Sequence, residues 1–540
     1  MVTRVLAVPL RVALLLLPLM AAGPSRAGAQ GAPPAPPPNP PRLRALDFAP
    51  FEAPLAAFPK EQAARLDAAL GGGATIADVQ QGLQARQLTS EALTLFFLDR
   101  IRRYDGDLRT YLELNPAALD EARAADARRA AGTPRGPLDG IPVSLKDNIE
   151  TAGPLHTTAG AELLLNRVAA ADAPLVAQLR AAGAVVLGKA NLSEFAGVIH
   201  FGQLAGGGAS AVGGQAHNPY GAYPTLGSSS GSAAGAAARL AMASVGTETS
   251  GSLLAPAALN GVVGMKPSRD LVSGAGVVPL LRTNDSAGPI GRSVTDVALL
   301  LGAIDTGDAD YAGGLAFDAL DGVAVGILNG DIVAAPGNSP LLQAATGILV
   351  AAGAQPHPAA VVGLPPQFMA AFTVLLSGGV RYDMLGYVAA LGGPVKTPED
   401  LLAYNAADPG RRIPFGQDVL AAQAQQSAQL SAADFAALGP DLRQAAAAAL
   451  DATFAQKGTE VLVSLENLHS PLYATAGYPA VTVPLGARSG GGLPATPGAS
   501  TAGTPSGITF IGKPGTDARL LAVAYAFEQA SRLRVDPPLP

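Results

Sequence analysis

A cluster of serines could supply a nucleophile in this chain. Residues 227–232 read GSSSGS, and the first five letters satisfy GxSxG, the pattern in which a sharp strand-to-helix turn exposes a nucleophilic serine. That pattern would make Ser229 the nucleophile and would require a histidine as its base. However, the preceding residues, NPYGAYPTL, contain two prolines and predict a loop instead of a buried strand. The elbow interpretation is therefore disfavoured, although sequence alone leaves all five histidines open as bases.

Lysine usage points to a different base. Lysine accounts for only seven of the 36 basic residues, so arginine is the usual cation of this chain. Lys146 nevertheless stands at the end of an apolar run, in GIPVSLKDN. Arginine stays protonated, whereas a desolvated lysine can lose its proton and act as a base. The alternative is a structural lysine whose stem packs against the protein while its ammonium group reaches water.

A second group of small residues follows the serine cluster, in SVGTETSGSLLAPA at residues 244–257. It predicts a short strand that enters a glycine-punctuated turn. Gly251 allows the backbone to come close to a ligand before Ser252, and successive amides in such a turn can bind an anion. The signal is weak alone, because Ser and Gly occupy ordinary turns everywhere.

A near match to a nucleotide-binding loop lies at residues 183–190, which read GAVVLGKA. The GxxxxGK[ST] motif needs its variable residues in a loop whose amides surround phosphate, and a final hydroxyl for Mg²⁺. Here the variable residues AVVL predict a strand, and Ala190 has no hydroxyl. Nucleotide binding is therefore disfavoured.

The elements around these residues alternate between strand and helix. Amphipathic helical patterns begin at a capping Thr75 and at Ser90, and others cover residues 173–183 and 518–534. Short β-branched runs bounded by Gly or Pro predict six strands, at residues 140–145, 184–189, 322–328, 460–465, 480–485 and 507–512. This alternation predicts an α/β fold with a largely buried mixed sheet. The Gly- and Pro-rich residues between the last two strands predict an exposed loop.

The N-terminus predicts export. Two arginines precede the apolar run at residues 12–22, which is followed by the small-residue site Ala27-Gly28-Ala29. We expect residues 1–29 to form a signal peptide that is cut before Gln30, which leaves the protein periplasmic or secreted. The apolar run is too short for a membrane anchor, so no stable membrane insertion is expected. A Pro-rich linker is predicted at residues 30–59 and a single domain at residues 60–540.

Composition excludes several classes of chemistry. The chain has 540 residues, of which 49% are hydrophobic and 14% charged, so it can bury a large core. It contains no cysteine, which excludes disulfides, a thiolate nucleophile and Cys-ligated metals. The net charge of −6 becomes −9 once the three arginines of the predicted signal peptide are removed. This acidic balance does not favour nucleic acid or an anionic membrane as a partner.

Four stretches together resemble the amidase signature family, whose members hydrolyse carboxamides with a Ser–Ser–Lys triad. They are GIPVSLKDNI, VVLGKANLSEFA, the block from NPYGAYPTL to GVVGMKPS, and DSAGPIGRSVTDVA. AGYPAVTVPLG and ARLLAVAYAFEQA near the C-terminus are also similar, so the resemblance runs from about residue 75 to the end. It implies the amidase signature fold, in which a large mixed β-sheet core is covered by helices on both sides, and it implies neither metal nor cofactor.

The resemblance also implies a role for individual residues. Ser252 matches the nucleophile, Lys146 matches the base, and Ser228 matches the serine that the family holds after a cis peptide bond. Ser229 matches a neighbouring serine that supports the network by hydrogen bonding. The oxyanion hole would consist of the amides of Thr249, Ser250, Gly251 and Ser252. Because an amide leaves only when its nitrogen is protonated, one relay must take the Ser252 proton and return it to the leaving amine.

Within the family, GSSSGS, TET, IPFGQDVL and TPEDLLAYN are most similar to the bacterial peptide amidase branch. We therefore expect a linear carboxamide as substrate, such as the C-terminal amide of a peptide. Ser250 stands where relatives usually carry Asp or Gly, and the cleft segment at residues 200–214 is unusually small and Gly-rich. Aryl or aliphatic amides or esters, and a catalytically silent binding protein, therefore stay open as alternatives. The transamidating component of tRNA-dependent amidotransferases shares the signature but does not fit an export signal.

Overall fold

The computed structural model describes residues 39–200, 207–307, 309–328, 339–487 and 503–539. The strands in this part of the chain are β1 (Tyr111–Leu114), β2 (Pro142–Lys146), β3 (Val185–Ala190), β4 (Ala209–Ser210), β5 (Gly214–Gln215), β6 (Ala243–Glu248), β7 (Val263–Lys266), β8 (Ser286–Gly291), β9 (Ala324–Leu328), β10 (Gln355–Ala359), β11 (Val461–Leu465), β12 (Ala480–Ala487) and β13 (Pro505–Ile511). All six strands predicted from sequence are confirmed, as β2, β3, β9, β11, β12 and β13.

The helices differ widely in length, from 4 residues to 23. In the described residues the helices are α1 (Glu52–Ala57), α2 (Lys60–Gly71), α3 (Ile76–Gln84), α4 (Ser90–Leu108), α5 (Ala118–Ala130), α6 (Pro174–Ala181), α7 (Ser230–Ala237), α8 (Leu254–Leu259), α9 (Val294–Ile304), α10 (Ser339–Ala351), α11 (Phe368–Gly379), α12 (Leu385–Ala390), α13 (Pro398–Ala406), α14 (Pro409–Arg412), α15 (Asp418–Ser427), α16 (Ala432–Phe454), α17 (Ser470–Ala476) and α18 (Asp517–Ser531). The Thr75 hydroxyl accepts the amide of Asp78, whose carboxylate accepts the amide of Thr75, so α3 begins with the predicted cap.

Eleven strands form one mixed sheet in the order β1-β3-β2-β6-β8-β7-β12-β13-β11-β9-β10. The parallel neighbours are β3 with β2, β2 with β6, and β9 with both β11 and β10. The other pairs are antiparallel. The predicted mixed α/β sheet is therefore confirmed, and β2 and β6 lie side by side in its interior.

The sheet separates two hydrophobic cores because successive side chains of a strand point to opposite faces. Leu462 and Ile511 belong to one core, which also contains side chains of α7, α8, α11 and α16. Val463 and Phe510 belong to the other, together with side chains of α3, α4, α9 and α18. Helices thus cover both faces, as the resemblance implied.

The chain joins the folded body earlier than predicted. Residues 39–59 were assigned to the linker, but the Phe51 side chain is fully buried in the core. The Arg42 guanidinium contacts the buried carboxylate of Asp105 at 2.7 Å, and the side-chain amide of Asn39 donates to the carbonyl of Gln215. These contacts hold the described part of the predicted linker on the domain.

Several predicted features lie outside the described residues. They are the signal peptide at residues 1–29, the start of the Pro-rich segment, and most of the Gly-rich loop between β12 and β13. Within the described ranges, every helix is either too short or too polar to cross a membrane.

Candidate active site

Two neighbouring strands and one loop bring the predicted catalytic residues together. Because β2 and β6 are parallel, their carboxyl ends meet at one edge of the sheet. Lys146 is the last residue of β2, and the turn at residues 249–252 follows β6 directly. On β2, Val143 and Leu145 enter the core on one face, so the alternation turns Lys146 toward the other. The loop before α7 carries Ser228 to the same place.

The Lys146 amine is fully buried and lies in contact with Ser228. Its Nζ lies 2.8 Å from Ser228 Oγ, 2.8 Å from Thr247 Oγ1 and 3.2 Å from the carbonyl oxygen of Thr247. A neutral amine has two N–H donors and one lone pair. The carbonyl can only accept a hydrogen bond, so the two N–H groups can serve the oxygens of Thr247 while the lone pair faces the Ser228 hydroxyl. This arrangement allows Ser228 to pass a proton to Lys146.

The surroundings of Lys146 favour its neutral form. Burial lowers the pKa of the Lys146 amine to about 7, although the negative charges of Asp285 and Glu248 act in the opposite direction. A lysine in water has a pKa near 10.4 and would be almost entirely protonated at neutral pH. A substantial fraction of Lys146 is therefore available as a base near pH 7.

The backbone around Ser228 is tightly packed. The Gly227–Ser228 peptide bond is cis, as the resemblance implied. The Ser228 carbonyl accepts the amide of Ser193 at 3.1 Å. A Cβ on Gly227 would lie 2.1 Å from Ser193 Oγ, so only glycine fits between this hydroxyl and the serine cluster. Ser193, in the NLSEFA stretch, therefore holds the loop that presents Ser228.

Ser229 links this loop to β6 and to the neighbouring turn. Its hydroxyl donates to the carbonyl of Thr247 at 3.0 Å and accepts the amide of Thr247 at 3.1 Å. Its own amide donates to the carbonyl of Ser252 at 3.0 Å. The hydroxyl is buried, and main-chain groups occupy both its donor and its acceptor side. A nucleophilic serine would instead need its hydroxyl free to donate to a base. The elbow interpretation has no support in this geometry.

The side chain of Glu248 anchors the turn at residues 249–252. Its carboxylate Oε2 accepts the amides of Leu253 and Leu254 at 2.9 and 3.1 Å, which anchors the backbone just after Ser252. Gly251 has a φ of +84°, a conformation that other residues adopt only with strain. Ser252 is 9% exposed, whereas Ser228 is only 2% exposed.

The amides of the turn are available to a ligand. In the part of the chain that the structure describes, those of Ser250, Gly251 and Ser252 have no hydrogen-bond acceptor. The side chains of the turn are held away from them, since Thr249 Oγ1 donates to Asp285 at 2.5 Å and Ser250 Oγ donates to Ser470 Oγ at 3.3 Å. Such a row of free amides can stabilise a negatively charged oxygen.

Comparison with known proteins identifies the family. The sequence model of the amidase family matches residues 92–384, which is more than half of the chain. The chain belongs to the amidase family. It is therefore an amide-hydrolysing enzyme, and the expectations about family and fold are confirmed.

Individual relatives resemble this amidase over most of its length. It is 34% identical to a probable amidase of Arabidopsis thaliana, with 86% of this chain and 91% of the relative aligned. It is 33% identical to one of the glutamyl-tRNA(Gln) amidotransferase chains of Aromatoleum aromaticum, over 85% and 97% of the two chains.

Solved structures show the same similarity. The peptide amidase of Stenotrophomonas maltophilia is 36% identical, with a TM-score of 0.77 over 86% of this chain and 98% of the other. An amidase family protein of Bacillus anthracis is 32% identical, with a TM-score of 0.81 over 93% and 100% of the two chains.

Two of the other lysines of this amidase are buried in the same way as Lys146. Lys189 and Lys266 are also fully buried. Lys189 donates to the carbonyl of Ile149 at 2.6 Å, and Lys266 donates to the carbonyls of Pro267 and Tyr478 at 2.9 and 3.1 Å. Neither contacts the serines, so these two lysines fasten backbone segments. Lys189 also lies within β3, which agrees with the sequence argument against a phosphate-binding loop.

Several residues that support the site were not predicted from sequence. Thr247 contributes two of the three oxygens around Lys146, and it stands in the TET stretch that the family resemblance covers. Asp285 binds Thr249 and opens the DSAGPIG stretch, so its place in a matching motif could have indicated it. Asn467 lies against Gly251, and no signal in the sequence indicates that contact.

Proposed function

We propose that this amidase hydrolyses linear carboxamides, such as the C-terminal amide of a peptide, to a carboxylate and ammonia. The proposal assigns Ser252 as the nucleophile, Ser228 as the proton relay and Lys146 as the base. The observation that carries it is the 2.8 Å contact between Ser228 Oγ and a buried lysine amine whose pKa lies at about 7.

In the first half of the reaction, Ser252 Oγ attacks the carbonyl carbon of the substrate. Its proton passes to Ser228, whose own proton passes to Lys146. The negative charge that develops on the carbonyl oxygen is stabilised by the amides of residues 249–252. The same relay then returns a proton to the amide nitrogen, the C–N bond breaks, and ammonia leaves an acyl ester on Ser252.

In the second half, a water molecule attacks the acyl carbon and loses its proton through Ser228 to neutral Lys146. The proton returns to Ser252 Oγ as the ester bond breaks, and the carboxylic acid that is released ionises at neutral pH. One water is consumed for each carboxylate and ammonia formed, and no metal or cofactor takes part.

The similarity to a peptide amidase supports the choice of substrate. That enzyme is 36% identical to this chain and is aligned over nearly its whole length. The amidotransferase relative is also about as similar, so sequence identity alone does not separate the two activities. Aryl or aliphatic amides and esters would use the same three residues, and they are the second candidate substrates.

Ammonia release from a panel of matched substrates tests the proposal. The panel contains peptide amides, aliphatic amides and aryl amides at equal concentration. We expect the highest kcat/KM with peptide amides, and we expect Ser252→Ala to abolish turnover and covalent labelling by a fluorophosphonate. Faster turnover of aryl or aliphatic amides would favour the second candidate. No turnover and no labelling in the folded wild-type protein would support a silent binding protein instead.

We also propose that the enzyme acts outside the cytoplasm, because of the signal-peptide pattern at residues 1–29. Expression of the full chain in a bacterial host, followed by N-terminal sequencing of the exported protein, should give a sequence that starts at or near Gln30. Recovery of the uncut chain in the membrane fraction would contradict this localisation.

A further inference from the structure

A side-chain amide lies directly against the turn that holds the predicted nucleophile. Asn467 follows β11, on a part of the chain about 215 residues beyond Ser252. A Cβ on Gly251 would lie 2.5 Å from Asn467 Nδ2 and 3.0 Å from Ser470 Oγ. Because residue 251 is a glycine, the side-chain amide of Asn467 can occupy this space and contact the backbone of the turn.

The other polar side chains that touch this turn are already engaged. Asp285 accepts Thr249 Oγ1 on one carboxylate oxygen and the amides of Leu280 and Leu281 on the other. Ser250 donates to Ser470. Each of these groups therefore already has a hydrogen-bond partner within the protein.

The Asn467 side chain differs from these neighbours. Among the described residues its amide has no hydrogen-bond partner, whereas its main-chain carbonyl accepts the amide of Ser470 at 2.9 Å. The residue is half-buried, so water or a substrate can reach it. A fixed backbone therefore presents a free amide beside the available N–H groups of residues 250–252.

We propose that Asn467 is a specificity-determining residue that binds the –NH₂ group of a primary carboxamide substrate. The inference rests on the proposed function. The backbone amides of the turn supply donors for the carbonyl oxygen of the substrate, but they cannot accept a hydrogen bond from its nitrogen. Asn467 Nδ2 is the atom that lies against Gly251, and Oδ1 is the acceptor on the same side-chain amide. An ester of the same acid has no N–H in this position, so Asn467 favours amides over esters.

The test compares two substrates in three proteins. The substrates are a primary amide and the methyl ester of the same acyl group, and the proteins are the wild type, Asn467→Ala and Asn467→Leu. We expect both variants to lower kcat/KM for the amide about 10-fold more than for the ester, the size of one hydrogen bond. Asn467→Leu retains most of the volume, so agreement between the two variants separates hydrogen bonding from packing.

The matched control is Ser470→Ala, which touches the same turn but leaves Asn467 in place. It should lower kcat/KM for amide and ester by the same factor. An unchanged amide-to-ester ratio in both Asn467 variants would overturn the inference and would assign Asn467 a structural role. Failure of the proposed function looks different, because the wild type would then turn over neither substrate or Ser252→Ala would stay active.

Discussion

At the scale of single residues, the proposed chemistry depends on the buried amine of Lys146. Burial makes the charged form of Lys146 unfavourable. The two oxygens of Thr247 accept hydrogen bonds from the amine and so fix the direction of its N–H groups. The lone pair is thereby directed to Ser228. A histidine base would have to place a ring nitrogen where Lys146 Nζ lies. The serine hydroxyls already have other partners, since Ser228 Oγ contacts Lys146 and Ser229 Oγ bonds the Thr247 backbone.

Replacement of Lys146 should remove the base. Lys146→Ala should lower kcat/KM by ~10²- to 10⁴-fold, the usual contribution of a positioned general base. Lys146→Arg should be equally inactive, because a guanidinium keeps its proton and adds bulk. Steady-state ammonia release measures both variants. As a control, Asn or Ala at each of the five histidines should leave a folded protein with much of its activity. An active Lys146→Arg variant together with one inactive histidine variant would contradict the triad.

Burial lowers the pKa of Lys146, and the charge of Asp285 partly opposes this effect. In the wild type, kcat/KM should rise with pH through the pKa of Lys146, which lies at about 7. Because the negative charge of Asp285 raises that pKa, Asp285→Asn should lower it. The rising limb of the profile should therefore move to lower pH.

Profiles of kcat/KM from pH 5 to pH 9 would measure this shift. Circular dichroism at each pH gives the folded fraction of the variant, and the profile is divided by that fraction before the midpoint is read. A midpoint that moves to higher pH, or does not move, would show that Lys146 is not the titrating group.

At the scale of elements, the parallel pair β2–β6 places the proposed base Lys146 next to the turn that carries the proposed nucleophile. Ser229 connects the serine loop to both β6 and this turn. A Cβ on Gly246 would lie 2.8 Å from Ser229 Oγ, so the strand has a glycine where this hydroxyl approaches. The hydroxyl then bonds the main chain of Thr247 on both sides.

Loss of the Ser229 hydroxyl should therefore loosen the relay without removing the nucleophile. We expect Ser229→Ala to lower kcat about 10- to 100-fold, since a small misplacement of catalytic groups can cost this much. Covalent labelling of Ser252 by a fluorophosphonate should persist, at a lower rate. Mass spectrometry of the labelled protein locates the modified serine, and a label on Ser229 in the wild type would revive the elbow interpretation.

The sequence predicts the elements of this site to different degrees. The β-branched runs that form β2, β3 and β11 are visible in the sequence because they carry their own strand propensity. By contrast, β8 reads SAGPIG and contains two glycines and a proline, which disfavour a strand. It forms because it lies between β6 and β7 and pairs with both. Such a strand is specified by its neighbours, and sequence periodicity cannot show it.

The residues around the turn at 249–252 also differ in how far the sequence predicts them. Lys146 could be selected because lysine is rare here and ends an apolar strand, and Ser228 and Ser252 stand in a motif-rich block. Asn467 could not be found, because its contact with Gly251 arises only when β11 and β6 take their places in one sheet. The spacing of residues along the chain does not indicate this contact.

At the scale of the whole molecule, the N-terminal segment is part of the fold. Arg42 donates to both the carboxylate and the main-chain carbonyl of Asp105, each at 2.7 Å, and the carboxylate is fully buried. Burial raises the pKa of Asp105, while the charge of Arg42 lowers it. The arginine therefore compensates a charge that the interior would otherwise reject.

Arg42→Ala should lower the free energy of unfolding by about 3 to 5 kcal/mol, the typical cost of leaving one partner of a buried ion pair alone. Urea unfolding at pH 7 followed by circular dichroism gives this value. The control is Arg102→Ala, since Arg102 pairs with Asp99 at the surface and is 46% exposed. That variant should change the stability by less than about 1 kcal/mol. Equal effects of the two substitutions would show that the Arg42–Asp105 pair contributes no more to stability than a surface pair.

The interior position of β2 and β6 also bears on how the enzyme should fail when heated. Active sites built on mobile lids often lose function well before the protein melts, because local opening needs little free energy. Here the proposed base and the turn with the proposed nucleophile extend from adjacent strands that have further strands on both sides. Local opening at this point requires disruption of the sheet itself. Thermal inactivation should therefore coincide with global unfolding, and the slowest amide hydrogen exchange should include Leu145 and Val245, two residues that pair across these strands.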